Sequence, residues 1–214
     1  MRSKFSLKLQ VASAGLMVTL ASGGCAVMAP KAERYVAPAV GATWVTARRD
    51  TGSYGSASVQ LAGRFLGEQM WQGRKVIAFE GQEFTLLAYP TGDWVAQVKG
   101  STPLVSWDPP LSWDWPLDVG KTWTRTYRVT IHASKQTIPL EVRQKVEAYE
   151  DVTVPAGTFK AFKISTSDTL GNENLAWFSP ELGIFVKQSL RRTAKHSAGP
   201  GARETELVSQ TIKK

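Results

Sequence analysis

The chain has 214 residues, 43% of them hydrophobic and 21% charged, which is enough for one folded domain and excludes wholesale disorder. Its 26 basic and 18 acidic residues give a net charge of +8. The only cysteine is Cys25, which excludes an intrachain disulfide and a cysteine-cluster metal site. No apolar run reaches the roughly 18 residues that a transmembrane helix needs.

Residues 1–24 have the pattern of an export signal. The mostly apolar stretch 9–20 is followed by small residues that end at Cys25. Three basic residues precede the apolar stretch: Arg2, Lys4 and Lys8. The ending resembles the bacterial lipoprotein box, in which the cysteine is acylated and becomes the mature N-terminus, although Ser22 stands where leucine is commonest. An ordinary secreted protein with a cysteine at the junction is the alternative.

The resemblance implies that residues 1–24 are removed and that Cys25 carries a lipid anchor. Stable anchoring needs two or more acyl chains, a condition that a triacylated cysteine meets. Ala26 follows the cysteine where an aspartate would signal retention, which by the same resemblance favours the outer membrane and the periplasmic face. The membrane is therefore the expected partner, and this compartment disfavours nucleic acid.

Basic residues outnumber acidic ones in the mature chain as well. Without the signal, 23 basic and 18 acidic residues leave a charge of +5. The excess lies late in the chain, at Arg191, Arg192, Lys195, Arg203, Lys213 and Lys214. These cations form either a solvated basic edge or a surface that attracts an anionic lipid or envelope polymer. An envelope protein is the other candidate partner.

After a short tether, the sequence has the pattern of β-strands. Residues 25–40 are rich in alanine and proline, which predicts the tether. Alternation of period two is clearest in 122–132 and 138–149, where each segment has one apolar and one polar face, as antiparallel strands do. The other strand candidates are 43–49, 57–67, 74–80, 83–89, 93–99, 158–167, 174–179, 184–193 and 203–212.

A weak internal repeat divides the β region. Gly41-Ala42-Thr43-Trp44 recurs as Gly120-Lys121-Thr122-Trp123, and each copy is followed by an alternating strand and, later, an aromatic-proline turn. The pattern predicts two meanders of five strands, 41–99 and 120–214, in one compact domain. Chance similarity between β-rich segments is the alternative.

The connection between the two halves, residues 100–119, holds four prolines and three tryptophans. Because proline cannot serve a central ladder, this segment is predicted to be a long connection and not a strand. Its rings are expected to plug an open end of the sheet and to fill the interior. Alternatively, exposed rings stack on sugars beside two carboxylates. In that case the candidate ligand-binding residues are Trp107, Trp113, Trp115, Asp108 and Asp114.

The sequence contains no strong catalytic or metal-binding motif. His132 and His196 lack the spacing of zinc ligands, so neither a metal site nor a cofactor is predicted. No Gly-x-Ser-x-Gly elbow occurs. The protein is predicted not to be an enzyme, although the pair Asp108 and Asp114 keeps open a glycan-acting enzyme, since the separation of two carboxylates cannot be read from sequence.

Three motifs in the second half share a resemblance. They are PLDVGKTW at 116–123, VPAGTFKAFKI at 154–164 and WFSPELGIFVK at 177–187. They resemble the PLxVGxxW, VPAGxFxxxxI and WFxPxxGxxVK motifs of an uncharacterised family of bacterial envelope proteins and lipoproteins. The resemblance covers about 115–212 and implies an antiparallel β fold. It carries over no catalytic residue and implies no established activity.

These patterns predict an all-β protein with about ten antiparallel strands in a strongly curved sheet, either a half-barrel or a barrel. The leading function is a non-catalytic outer-membrane lipoprotein that serves as a binding or envelope-assembly module. One alternative is a carrier of an acyl chain or glycolipid in a concave β surface, and another is an enzyme that acts on cell-wall glycan. A filled interior would favour the scaffold, and an empty apolar interior would favour the carrier.

Overall fold

The computed structural model describes residues 30–213, so the predicted signal and Cys25 lie outside the described residues. The described residues form twelve strands, and no helix among them is long and apolar enough to cross a membrane. The strands are β1 (Thr43–Gly52), β2 (Ser58–Trp71), β3 (Arg74–Gly81), β4 (Thr85–Ala88), β5 (Trp94–Lys99), β6 (Thr102–Leu111), β7 (Thr122–Ile131), β8 (Gln136–Val154), β9 (Gly157–Asp168), β10 (Asn172–Ser179), β11 (Ile184–Arg192) and β12 (Gly201–Gln210).

The strands form a closed antiparallel barrel. Each strand pairs with its neighbour along the chain, and β1 pairs with β12 to close the wall. The predicted all-β fold is confirmed, and of the two predicted architectures the barrel is the one observed. Among residues 30–213, every strand has a partner strand on both sides.

The prediction that residues 100–119 contain no strand is wrong, because β6 forms part of the wall. Its prolines lie where the ladders are interrupted. The register with β7 covers only Val105 to Asp108, and the register with β5 jumps from Ser106 to Leu111. Pro109 and Pro110 therefore lie in a bulge, where a missing N–H breaks no ladder bond.

The predicted alternation on β7 and β8 is confirmed. On β7, Trp123 and Tyr127 are buried while Thr122 and Thr124 are exposed. On β8, the buried residues are Leu140, Val142, Gln144 and Val146. On this inward face, Trp123 and Val146 pack in one core cluster with Phe162, Ile164 and Phe178, and Tyr127, Leu140 and Val142 form a second cluster. One apolar face per strand thus suffices to line the inside of the barrel.

The repeated motifs lie at equivalent places in the two halves. Trp44 is the second residue of β1, and Trp123 is the second residue of β7. The turn with Pro90 joins β4 to β5, and the turn with Pro180 joins β10 to β11. Equivalent motifs are therefore six strands apart, so each half holds six strands and not the predicted five.

Because neighbouring strands are antiparallel, the turns gather at two opposite ends of the barrel. One end, which we call the closed end, carries the turns 72–73, 89–93, 112–121, 155–156 and 180–183. The other end, which we call the mouth, carries the turns 53–57, 82–84, 100–101, 132–135, 169–171 and 193–200. The N-terminal segment, residues 30–42, enters at the closed end. There Ala32 exchanges two backbone hydrogen bonds with Leu117, of 3.0 and 2.9 Å.

Candidate functional site

The interior of the barrel holds a cavity of about 350 Å³. The expectation that the tryptophan-rich segment fills the interior is therefore wrong. The reason is that half of this segment forms β6 in the wall, which leaves only the stretch from Ser112 to Leu117 to cover an opening. That stretch closes one end of the barrel, and the other end stays accessible. A volume of this size is in the range of small-molecule sites.

Aromatic rings form the closed end of the cavity. Trp113 lies 5.0 Å from Phe185 between ring centroids, and Trp115 lies 5.7 Å from Phe178. Phe178 and Phe185 are themselves 5.5 Å apart. These edge-on and tilted contacts are favourable for aromatic pairs. The rings make a rigid, apolar floor.

Tyr35 completes this floor from the N-terminal segment. Its ring contacts Trp115 and Phe178, both at 6.1 Å between centroids, and its hydroxyl donates a 2.9 Å hydrogen bond to the carbonyl oxygen of Gly183. Burial raises the pKa of the Tyr35 hydroxyl well above its usual value, so this group stays a neutral donor. A Cβ at Gly92 would lie 2.8 Å from the ring, so only glycine allows this approach.

Aromatic side chains also line the middle of the cavity. Trp44 on β1 lies over Gly63 on β2, where a Cβ would come within 2.4 Å of the indole. Phe79 lies 6.4 Å from Trp44 and 5.0 Å from Phe65 between ring centroids. The glycine therefore makes room for the tryptophan, and the aromatic surface continues from the floor along the wall.

Charged side chains form the opposite end of the cavity. Arg48 donates two hydrogen bonds to Glu83, of 2.7 and 3.0 Å. Arg203 donates two to Asp50, of 2.8 and 2.9 Å, and its guanidinium lies 4.7 Å from the Tyr54 ring centroid. The Glu83 side chain is 50% exposed and lines the cavity, so this end reaches solvent. Paired, planar guanidinium groups at an opening are suited to recognising carboxylate or phosphate.

Both carboxylates at the mouth are held in the ionised form. The hydrogen bonds from Arg203 lower the pKa of Asp50, and those from Arg48 lower the pKa of Glu83. In each case these bonds outweigh burial, which acts in the opposite direction. Neither group is therefore suited to act as a general acid near neutral pH.

The five predicted ligand-binding residues do not share one surface. Trp113 is 6% exposed and, with Trp115, faces the cavity at the closed end. Trp107 is half-buried, 6.2 Å from Trp94 between ring centroids. Asp108 pairs with an arginine on β7 and is exposed, at a distance from the cavity lining. The three tryptophan rings therefore do not form an exposed row on the outer surface of the barrel: two line the cavity and the third is half-buried.

Asp114 also lies outside the cavity lining. Its carboxylate pairs with Lys121 at 3.1 Å and with Arg125. Burial raises its pKa, but the two cations together outweigh burial and hold the pKa below the usual value. Asp114 therefore fixes the turn between β6 and β7, and Asp108 and Asp114 each pair with cations of their own.

Sequence reasoning missed the residues at the mouth. Thr46, Arg48 and Asp50 alternate on the inward face of β1, which in the sequence resembles an ordinary solvated face. Arg203 was noted only as part of the late basic excess. The signal available in the sequence was the alternation of these polar residues with Trp44 on one face of the same strand.

No protein-family model matches the chain, and no curated protein matches it. Solved structures that resemble this chain include the following three. A candidate lipoprotein from Parabacteroides distasonis shares 12% identity at a TM-score of 0.45, covering 84% of this chain and 99% of that one. A protein with a YmcC-like fold from Bacteroides fragilis shares 13% at 0.46, with the same coverage. The hypothetical lipoprotein YmcC from Escherichia coli K12 shares 11% at 0.43, covering 81% and 86%.

Proposed function

We propose that this protein is a lipid-anchored protein of the bacterial envelope that binds a small amphipathic ligand inside its barrel and catalyses no reaction. The observation that carries the proposal is the polarity of the cavity, which has an aromatic floor at one end and two arginines at the other. An apolar chain would bury against Trp113, Trp115 and Phe178, where each buried methylene contributes about 0.8 kcal/mol. The polar head would remain at the mouth.

The mouth favours an anionic head group, such as a carboxylate or a phosphate. Arg48 is already paired with Glu83, but Glu83 lies in the turn between β3 and β4 and is half exposed. A ligand head group can replace this carboxylate as the acceptor of the same two hydrogen bonds. Arg203 stays fixed by Asp50, which is buried and whose carboxylate also lies 3.4 Å from Nε of Arg48.

Blocking the cavity should abolish ligand binding without unfolding the barrel. Thr46 on β1 lines the cavity and is half-buried, so we expect Thr46→Trp to fill the space that an acyl chain would occupy. The measurement is native mass spectrometry of the full chain after incubation with a fatty acid and with a lysophospholipid. Thr51→Trp, an exposed position on the same strand, is the matched control and should bind as the wild type does.

Equal ligand occupancy in the Thr46→Trp and Thr51→Trp proteins would contradict binding inside the barrel. If the wild-type protein binds no amphiphile at all, the result would contradict the ligand-binding role and favour a scaffold role. Arg48→Gln separates head-group recognition from chain burial: it should weaken binding of the anionic fatty acid more than binding of an uncharged fatty alcohol.

Attachment to the membrane rests on the signal and Cys25. We expect the mature protein to begin at Cys25 and to carry acyl chains, since an apolar stretch and small residues precede this cysteine. Intact mass spectrometry of membrane-extracted protein should show loss of residues 1–24 and the added acyl mass. An exported protein with an unmodified Cys25 thiol would contradict the anchor. Placement in the outer membrane, facing the periplasm, is part of the same proposal.

An enzymatic role is less well supported. The carboxylates Asp50 and Glu83 at the mouth are held ionised by arginines. Retaining and inverting glycosidases need a carboxylic acid whose pKa is raised, so that it can protonate the leaving group. The pairing at the mouth favours recognition of a ligand over proton transfer to it.

A further inference from the structure

The exposed large hydrophobic residues are concentrated at the closed end of the barrel. Within residues 30–213, five of the seven such side chains lie there, and we call this group the apolar rim: Val36, Val40, Leu66, Met70 and Val119. Val40 and Met70 are the most exposed, at 73% and 67%. The two others, Val59 and Leu170, belong to the half of the barrel that ends at the mouth. Exposed apolar groups gathered at one place mark an interaction surface more often than scattered ones do.

The point at which the chain enters the barrel lies at the same end. Ala32 is fixed to Leu117 by two backbone hydrogen bonds, and Pro38 packs against Gly183 in the turn between β10 and β11. Ala32 is the seventh residue after Cys25, and a fully extended chain of seven residues spans about 25 Å at most. A lipid on Cys25 therefore keeps the closed end near the bilayer.

We propose that the apolar rim rests on the bilayer that holds the lipid anchor, so that the mouth of the cavity points away from this membrane. The inference rests on the proposed lipid anchor at Cys25. Strands of about ten residues at about 3.3 Å per residue, tilted as in other barrels, place the mouth roughly 25 Å from the rim. The opposite orientation would require the tether to run fully extended along the whole wall and would leave the rim in water.

This orientation decides where the ligand comes from. The aromatic floor and the residues 112–117 lie between the cavity and the anchoring bilayer, so an amphiphile cannot pass from that bilayer into the barrel through the closed end. It enters through the mouth, from the aqueous compartment or from a partner that docks there. The protein is then a receiver of ligand delivered to it and not an extractor of lipid from its own membrane.

Two labelled variants of the full-length, lipidated protein in vesicles test the orientation. Cys25 is the only cysteine and its thiol is acylated in this protein, so a single introduced cysteine carries the only label. Gln69→Cys places a fluorophore at the closed end beside the rim, and Ser56→Cys places it at the mouth; both positions are exposed. The vesicles contain phosphatidylethanolamine, phosphatidylglycerol and a lipid with a spin label in its head group, which quenches nearby fluorophores.

We expect severalfold stronger quenching of the Gln69 label than of the Ser56 label. The double variant Val40→Ser with Met70→Ser should reduce this difference, while the control Val59→Ser should leave it unchanged. Because the rim is apolar, the difference should persist at high salt. Equal quenching at both labels, or stronger quenching at Ser56, would overturn the orientation while the anchor stands. Protein that stays in the supernatant without acyl mass would overturn the anchor and the orientation together.

Discussion

Trp123→Ala should lower the free energy of unfolding by about 3–5 kcal/mol, the range for removing a large buried aromatic side chain. Trp123 is 8% exposed and packs in the cluster that joins β7 to β8, β9 and β10, with Val146, Ile164 and Phe178. Removing the indole leaves a cavity in a barrel wall that is closed by hydrogen bonds and cannot collapse around it. Urea unfolding followed by circular dichroism measures the change.

Two further variants on β7 test whether the loss of stability comes from removing a buried side chain. Thr124→Ala, at the neighbouring exposed position, should change stability by less than about 0.5 kcal/mol. Trp123→Phe should retain most of the stability, because the indole N–H is buried without a hydrogen-bond partner among the described residues, so no bond is lost. A Trp123→Ala protein with an unchanged urea midpoint would place the ring in solvent and restore a ligand-stacking role.

Asp50→Asn should lower the free energy of unfolding by about 3 kcal/mol at pH 7, because breaking a buried ion pair leaves a guanidinium without its counter-charge. The Asp50 side chain is 2% exposed and accepts two hydrogen bonds from Arg203. A carboxylate whose pKa is lowered by folding contributes stability above its unfolded pKa of about 3.9, and this contribution is lost as the pH falls through the lower, folded value.

The difference between the wild-type and Asp50→Asn proteins should therefore be full at pH 7 and should narrow as the pH falls below about 4, because the wild-type carboxylate is protonated first in the unfolded state and, at lower pH, in the folded state. Urea midpoints at pH 7, 4 and 3 provide the comparison. Asp151→Asn is the matched control: it removes an ion pair with Lys160 in which both side chains are more than half exposed. Surface pairs contribute about 0–1 kcal/mol, so this variant should stay near the wild type. A constant difference at all three pH values would contradict the role given to the Asp50 charge.

The proposed ligand site and the proposed lipid anchor make separate demands on the sequence. The anchor would need only a local pattern before Cys25, whereas the ligand site would need Trp113 and Trp115 at one end of the cavity and Arg48 at the other. On this proposal, we expect a protein that keeps its anchor and loses Arg48 to reach the membrane but to select ligands poorly. Combining Arg48→Gln with the vesicle assay would show whether recognition and attachment are independent.

The sequence by itself determined the local features of this protein. The alternation on 122–132 and 138–149 predicted strands with one apolar face, and the structure confirms them as β7 and β8 with Trp123 inside. The aromatic-proline turns at Pro90 and Pro180 were predicted as well, because the constraint that proline places on φ belongs to the residue itself. Each of these signals involves only a few neighbouring residues and can therefore be recognised in the sequence.

The tertiary structure alone decided the closure, the cavity and the chemistry of its mouth. Asp50 and Arg203 are 153 residues apart and meet because β1 pairs with β12, which no local pattern specifies. Residues 100–119 could fill the barrel only if few of them formed part of its wall. Half of them form β6 in the wall, so too few remain to fill the interior. The prolines of this segment hid the strand. A ladder tolerates proline where its register is broken, and register is a property of two strands together.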